Sequence, residues 1–410
     1  MKEFYNISKL VEQHNQWMNE TINLIASENK LSPCVESCLM SDLGNRVAEG
    51  WIDERIFPGL QYYDEIEKIG TKLIKQQLRC DFVDLRPISG THANMVIFTA
   101  FTKPGDTILS FSTNSGAHIS MSGATPKKMF HLNVEYFKTK EDGFTLDVEA
   151  NICLIDKIVP KLVIFGGSVL LFKQDIEAIT KHCKSKGIIT IFDASHVIGL
   201  IMGKQYPNPF DCGVNIVSFS TCKTIPGPQH AFIAAQSPFG DKIKHTTFPA
   251  TLSGHHLHET VAAILCIAEM KNSIQLYSQQ VIKNAKHLAR SLNRNGFDIL
   301  FEEKGYTETH MFLLKNNTLI STIDFEKRLE NCNIIVNRNL LPGDKSFKTP
   351  SGFRFGTPEV TRIGMKEKDM EQISDYIRRI IFKNENDSLI KNEIIKFRKQ
   401  FTKIQYTHED

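Results

Sequence analysis

The sequence has no long uncharged apolar run, and no window approaches the length of a membrane-spanning helix. The opening stretch, MKEFYNISKLVEQHNQW, is polar and amphipathic and lacks the apolar core of a signal peptide. It has no strong charge excess: the formal net charge of its 410 residues is +3. Apart from Lys391–Lys403, where Glu393 is mixed with Lys396, Arg398 and Lys399 as on a solvated helix face, no basic cluster stands out. Nothing therefore calls for a nucleic acid or membrane partner. The nine cysteines are odd in number and scattered. Only Cys34 and Cys38 sit close together, without a second pair or a histidine at metal-ligand spacing, so no metal site is expected. Reduced thiols in a cytoplasmic protein are the reading. Internal repeats and low-complexity segments are absent as well.

What is present is a length sufficient for two domains and a large core. Residues 1–22 read as an N-terminal helical arm, with apolar positions at Ile7, Leu10, Val11 and Trp17. Between about 80 and 235, short β runs alternate with helical runs. DTILSF (106–111), KLVIFGGSV (161–169), IITIFDASH (188–196), VNIVSFS (214–220) and AFIAAQ (231–236) read as strands. THANMVIFTAF (91–101) and DIEAITKHCKSKG (175–187) read as helices. This alternation predicts an α/β domain with a mostly parallel sheet, over residues 23–259. A connecting helix is expected over 260–284, a smaller C-terminal α+β domain over 285–385, and a polar tail over 386–410, helical and then frayed.

In such a sheet, ligands gather at the carboxyl ends of the strands. Lys223 follows the apolar run Val214–Val217, on a loop stopped by Pro226, Gly227 and Pro228. Taken alone it reads as a surface lysine after an edge strand. A lysine delivered by a core strand also suits attack on a carbonyl, because burial favours the neutral amine. Ser89, Gly90 and Thr91 open a helix, where backbone N–H groups hold a phosphate or simply cap the helix. Asp193 ends the strand IITIFD, as a partner for a protonated ring nitrogen or as a capping residue. His118, in NSGAHISMSG, sits in a glycine-flanked loop, either flat against a cofactor ring or as an ordinary loop histidine. Together, an amine, an anion, a flat ring and a phosphate cradle at successive strand ends describe a pyridoxal 5′-phosphate site.

Seven motifs in one order then carry a resemblance over residues 22–381. They are LIASEN (24–29), AEG (48–50), SGTHAN (89–94), GAH (116–118), DASHVIGL (193–200), CKTIPGP (222–228) and SGFRFGTPEVTRIG (351–364). With these the chain resembles the serine hydroxymethyltransferase family. The resemblance implies the aspartate aminotransferase-like, fold-type I architecture. It also implies a homodimer, or a tetramer of two dimers, with active sites shared between subunits. Lys223 would carry the cofactor as a Schiff base, Asp193 would pair with the pyridine nitrogen, and His118 would stack on the ring. Ser168 would bind the cofactor and His196 would lie near its phenolic oxygen. Ser89, Gly90, Thr91 and Ser220 would hold the phosphate, joined by Ser253 and Gly254 from a partner chain. Arg354 would grip the amino acid carboxylate, a task suited to a bidentate guanidinium, and Ser27 would help to place that substrate. Glu49 matches the family's acid/base carboxylate, supplied by the other subunit.

The chain departs from the family pattern at Cys222 (usually histidine), at Val47, Ile56 and Phe57 (usually tyrosines), and at Gln229 (usually arginine). Ala250-Thr251-Leu252 replaces a glycine-rich segment. GLIMG (199–203), KTIPGPQ (223–229), GYTETH (305–310) and GMKEKD (364–369) are similar to the threonine transaldolase branch of the same superfamily. The expected activity is thus serine/glycine interconversion with tetrahydrofolate as the one-carbon acceptor. The alternative is a folate-independent threonine aldolase or transaldolase. A cofactor-bound protein without turnover and an aminotransferase are less favoured readings, since Glu49, Arg354 and the LIASEN and AEG pieces are all present.

Overall fold

Residues 1–346, 348–383 and 385–408 are described by a computed structural model. They form two compact units. One comprises residues 31–278 together with Thr407 and His408. The other combines residues 1–30 with 279–406.

The first unit is built on a seven-stranded sheet. Its strands are β1 (Phe82–Asp84), β2 (Thr107–Ser110), β3 (Asn133–Tyr136), β4 (Leu162–Gly166), β5 (Ile189–Asp193), β6 (Ile216–Ser220) and β7 (Ala231–Ala235). Their spatial order is β1-β7-β6-β5-β4-β2-β3. The run from β3 to β6 is parallel, whereas β7 is antiparallel to both its neighbours. Strands β4, β6 and β7 are buried at every residue, as expected of strands covered on both faces. The helix Gly90–Phe101 covers one face. Ala93, Val96, Ile97, Ala100 and Phe101 recur at three- and four-residue spacing and pack on Ile108, Ile164, Ile191 and Ile216. Phe98 on the same helix is fully buried, which contributes roughly 1.5–3 kcal/mol relative to an exposed ring. Because β4, β5 and β6 are parallel, Gly166, Asp193 and Ser220 end them on one edge of the sheet.

The second unit holds a four-stranded antiparallel sheet, ordered Asn337–Asn339, Gly352–Gly356, Met311–Lys315, Asp298–Ile299. Near it, Ile22–Asn23 pairs in parallel with Ile334–Ile335. Residues 23–30 therefore belong here and not to the larger unit, since Ile22 and Leu24 sit in this core with Phe312, Ile334 and Phe355. The tail is helical as expected, but it is packed rather than wholly solvated. Asp387–Arg398 is a helix whose Ile390 and Ile394 are fully buried in the same core. The expected connecting helix is interrupted: Leu257–Glu269 and Ile274–Arg294 are separate helices. The N-terminal helix Lys2–Asn19 has no buried residue. Among the described residues, no helix is long and apolar enough to cross a membrane.

Candidate active site

A cavity of about 160 Å³ opens at the carboxyl edge of the parallel strands. Of the residues picked out in the sequence, Ser89, Gly90, Thr91, His118, Ser168, Asp193, His196, Ser220 and Lys223 all line it. They come from five separate loops, each placed by the end of a strand or the start of a helix.

Ser89 is the N-cap of the helix Gly90–Phe101, and its Oγ accepts a hydrogen bond from the His92 N–H at 3.1 Å. The first N–H groups of that helix lack intrahelical partners and carry its positive pole. Gly90 is needed here for space. A Cβ at this position would lie 2.7 Å from Ser220 Oγ and 3.4 Å from Ser195 Oγ, crowding both hydroxyls. Asp193 is 3% exposed, and its Oδ1 accepts from the Ser195 N–H at 3.0 Å. The close approach of β4 to this carboxylate's own backbone explains the glycine at 166. Its φ is +79°, and a Cβ would meet the Asp193 carbonyl oxygen at 2.2 Å.

Lys223 rides on a loop fixed from several sides. Thr221 donates its N–H to the His230 carbonyl at 3.0 Å and its Oγ1–H to the Pro228 carbonyl at 2.8 Å. Thr224 Oγ1 donates to the His196 carbonyl at 3.0 Å and accepts from the Gly199 N–H at 3.0 Å. The proline-glycine-proline sequence thus folds back on the strand it leaves, and the lysine is carried on a hydrogen-bonded hairpin of chain. His118 caps the short helix Ile119–Ser122, and its Nδ1 lies 2.7 Å from Ser120 Oγ.

The remaining predicted residues lie elsewhere. Glu49, Ser253 and Gly254 belong to the same unit but do not line this cavity. Ser27 and Arg354 belong to the other unit. There, Arg354 is buried on the strand Gly352–Gly356, opposite Leu313 and Asn337, and burial pushes its guanidinium down to about 10. Ser27 follows a turn held by Asn23, whose Nδ2 donates to Glu28 Oε2 and to Glu359 Oε2, each at 2.7 Å.

Asn94, Gly167, Ser195 and His230 also line the cavity and had not been picked out; Cys222 and Gln229, noted only as departures, line it too. Asn94 and Ser195 lie inside SGTHAN and DASHVIGL, so only their spacing from Ser89 and Asp193 could have marked them. His230 gives no sequence signal. It is 1% exposed, donates from Nε2 to the Leu85 carbonyl at 2.8 Å, and is lowered to about 4 by burial. It is therefore neutral in the fold near pH 7, while the unfolded chain carries it with its ordinary value of 6.5. Between those values the unfolded state binds the extra proton, so stability is full above 6.5 and falls as the pH drops towards 4. The expected contribution of this one group is roughly 2 kcal/mol lost between pH 8 and pH 5. Urea denaturation at the two pH values should show a smaller loss in His230→Gln than in the parent. An equal loss in both would assign the acid sensitivity to other groups.

In comparisons with known proteins, the model for the family described as serine hydroxymethyltransferase matches residues 2–377. The serine hydroxymethyltransferase of Korarchaeum cryptofilum (strain OPF8) is 39% identical over 425 aligned positions, covering 100% of this chain and 98% of that protein. That of Thermococcus onnurineus (strain NA1) is 38% identical, covering 98% of this chain and 96% of the relative. The enzyme of the same name from Methanopyrus kandleri is 34% identical over 99% of this chain and 95% of its own length.

Proposed function

Since this chain belongs to the serine hydroxymethyltransferase family, we propose that it interconverts serine and glycine, with pyridoxal 5′-phosphate held at Lys223 and tetrahydrofolate as the one-carbon partner. The family is of fold-type I, and the mostly parallel α/β sheet is consistent with it. The activity is transfer at the Cα–Cβ bond of a β-hydroxy amino acid, and the folate-independent aldolase alternative is not favoured.

The observation that carries the cofactor reading is the donor set of the cavity. A lysine, a buried carboxylate, a helix N-terminus and hydroxyls beside a glycine that leaves them room all face one space. These residues fit a flat, phosphorylated pyridine aldehyde. Bound there, pyridoxal 5′-phosphate supplies an electron sink that stabilises negative charge at the substrate Cα.

The chain's own groups divide the remaining tasks. Lys223 Nζ would hold the cofactor and could also move a proton at the substrate Cα. Asp193 keeps the proton on the pyridine nitrogen, its orientation fixed by the Ser195 N–H. Ser89, Gly90, Thr91 and Ser220 would take the phosphate, His118 would lie against the ring, Ser168 would help to bind the cofactor, and His196 would lie near its phenolic oxygen. Arg354 takes the substrate carboxylate, which orients the bond to be broken, and Ser27 supports it. A carboxylate placed on that buried guanidinium offsets its desolvation.

Glu49 would give or take the proton at the β-hydroxyl, in the site of a second copy of the chain. Two observations support a shared site. Glu49 does not line the cavity of its own unit. Close to it in sequence, Val47, Ile56 and Phe57 are exposed, as are Phe4, Ile7, Leu10 and Val11 on the N-terminal helix. Apolar residues exposed in such groups mark a protein–protein surface. Ser253 and Gly254 would reach the phosphate across the same dimer, and pairing of dimers into a tetramer is compatible with it. Cys34, Cys38, Cys80, Cys153, Cys183, Cys212 and Cys332 are free thiols, in keeping with a reducing, cytoplasmic setting.

The test is product analysis on purified protein with L-serine or L-threonine, each with and without tetrahydrofolate. Glycine should form from serine in a folate-dependent manner. Threonine cleavage indifferent to folate, with serine left untouched, would overturn the assignment.

A further inference from the structure

Behind His118 runs a buried hydrogen-bonded chain that none of the roles above uses. Ser218 on β6 donates from Oγ to Asn94 Oδ1 at 2.8 Å. Asn94, on the helix Gly90–Phe101, donates from Nδ2 to Ser120 Oγ at 2.8 Å. Ser120 Oγ lies 2.7 Å from His118 Nδ1. Ser218, Asn94 and Ser120 are at most 1% exposed, so water does not compete for these groups.

Such a chain could run in two directions, because a hydroxyl donates or accepts and an amide can be turned over. One contact decides between them. The backbone N–H of Ser120 points at the same His118 Nδ1, at 3.2 Å. An amide N–H can only donate, so Nδ1 is an acceptor and the ring proton sits on Nε2. Ser120 Oγ–H is then directed to Nδ1, Asn94 presents its NH₂ to Ser120, and its carbonyl oxygen receives Ser218.

We propose that Asn94 and Ser120 are positioning residues that hold His118 as the neutral imidazole protonated at Nε2. The inference rests on the reading of the cavity as a pyridoxal phosphate site, and it adds what that site requires of its histidine. Asp193 is there to keep a positive charge on the cofactor's ring nitrogen. An imidazolium lying against that ring would oppose the charge, whereas a neutral ring of fixed tautomer does not. The chain also ties the histidine to the rest of the site. Asn94 lies five residues after the N-cap Ser89, and Ser218 five residues before Lys223, paired in register with Asp193. The cradle, the acid strand and the lysine strand thus share one network with the ring that faces them.

The experiment is ¹⁵N NMR of the holoenzyme labelled at histidine, with the His118 signals assigned by their loss in His118→Asn. The parent protein at pH 7.5 should show Nε2 protonated and Nδ1 unprotonated. In Asn94→Asp the side chain can only accept, which turns the Ser120 hydroxyl away, leaves Nδ1 with only the longer contact from the Ser120 N–H, and shifts the balance towards a proton on Nδ1. Should that variant fail to fold, Asn94→Ala serves instead, and there both tautomers should appear. Turnover supplies a second reading: Asn94→Ala should lower kcat roughly tenfold with KM for serine changed less than about twofold. A parent protein already protonated at Nδ1, or folded Asn94 variants with the parent tautomer, would overturn the proposal. Since the NMR needs no turnover, this outcome is separable from failure of the serine assay.

Discussion

Lys223→Ala should abolish turnover and release the cofactor from covalent attachment. The expected loss in kcat/KM exceeds about 10³-fold, because the nucleophile is removed and no other lysine lines the cavity among the described residues. Borohydride reduction followed by peptide mass spectrometry reads the same event directly. The parent should gain the cofactor's mass on the peptide containing Lys223, and the variant should not. The fold should survive the change. The loop is held by Thr221 and Thr224 and by its prolines, and neither threonine bonds through the lysine. A thermal midpoint close to that of the parent would therefore accompany the loss. Turnover retained in the variant, or a reducible covalent cofactor found in it, would refute the assignment of Lys223.

The second large effect is a gain. Glu49→Gln and Lys223→Ala should each be inactive as homodimers, yet a mixture of the two, unfolded and refolded together, should regain activity. If Glu49 serves the partner's cavity, a mixed dimer has one site with both residues intact and one with neither. Random pairing makes half the dimers mixed, so recovery should approach about a quarter of the parent activity. If Glu49 serves the cavity of its own chain, every site in the mixture carries one defect and nothing is regained. The placement of Glu49 away from the cavity of its own unit favours the first outcome.

How much of this was legible in the sequence follows from how each element is buried. Strands β4, β5, β6 and β7 announced themselves as apolar runs, because they are covered on both faces. Strand β3 (NVEY) did not, since it is an edge strand with mostly exposed side chains and no hydrophobic run. Gly352–Gly356 was read only as a motif, its two glycines and an arginine masking a fully buried strand. Asp193 and Lys223 were legible because a parallel sheet concentrates ligand groups at its carboxyl end, whereas Ser220 was marked only by the family resemblance. His230 was not, because its role depends on depth, which a single histidine after Pro228-Gln229 cannot reveal. The packing of the tail helix Asp387–Arg398 was misjudged for a similar reason. Its charged face dominates the composition, while Ile390 and Ile394, four residues apart, do the packing.

The pairing of Ile22–Asn23 with Ile334–Ile335 also dictates an order of events during synthesis. Residues 31–278 contain every strand of the large sheet, so that unit can close while the chain is still being made. The first thirty residues cannot join their own unit until more than three hundred further residues have left the ribosome. At about 5–20 residues per second that is a wait of roughly 15–60 s, during which Ile22 and Leu24 remain uncovered. Residues 1–30 are thus made long before the rest of their unit, and within it they are among the last to be folded.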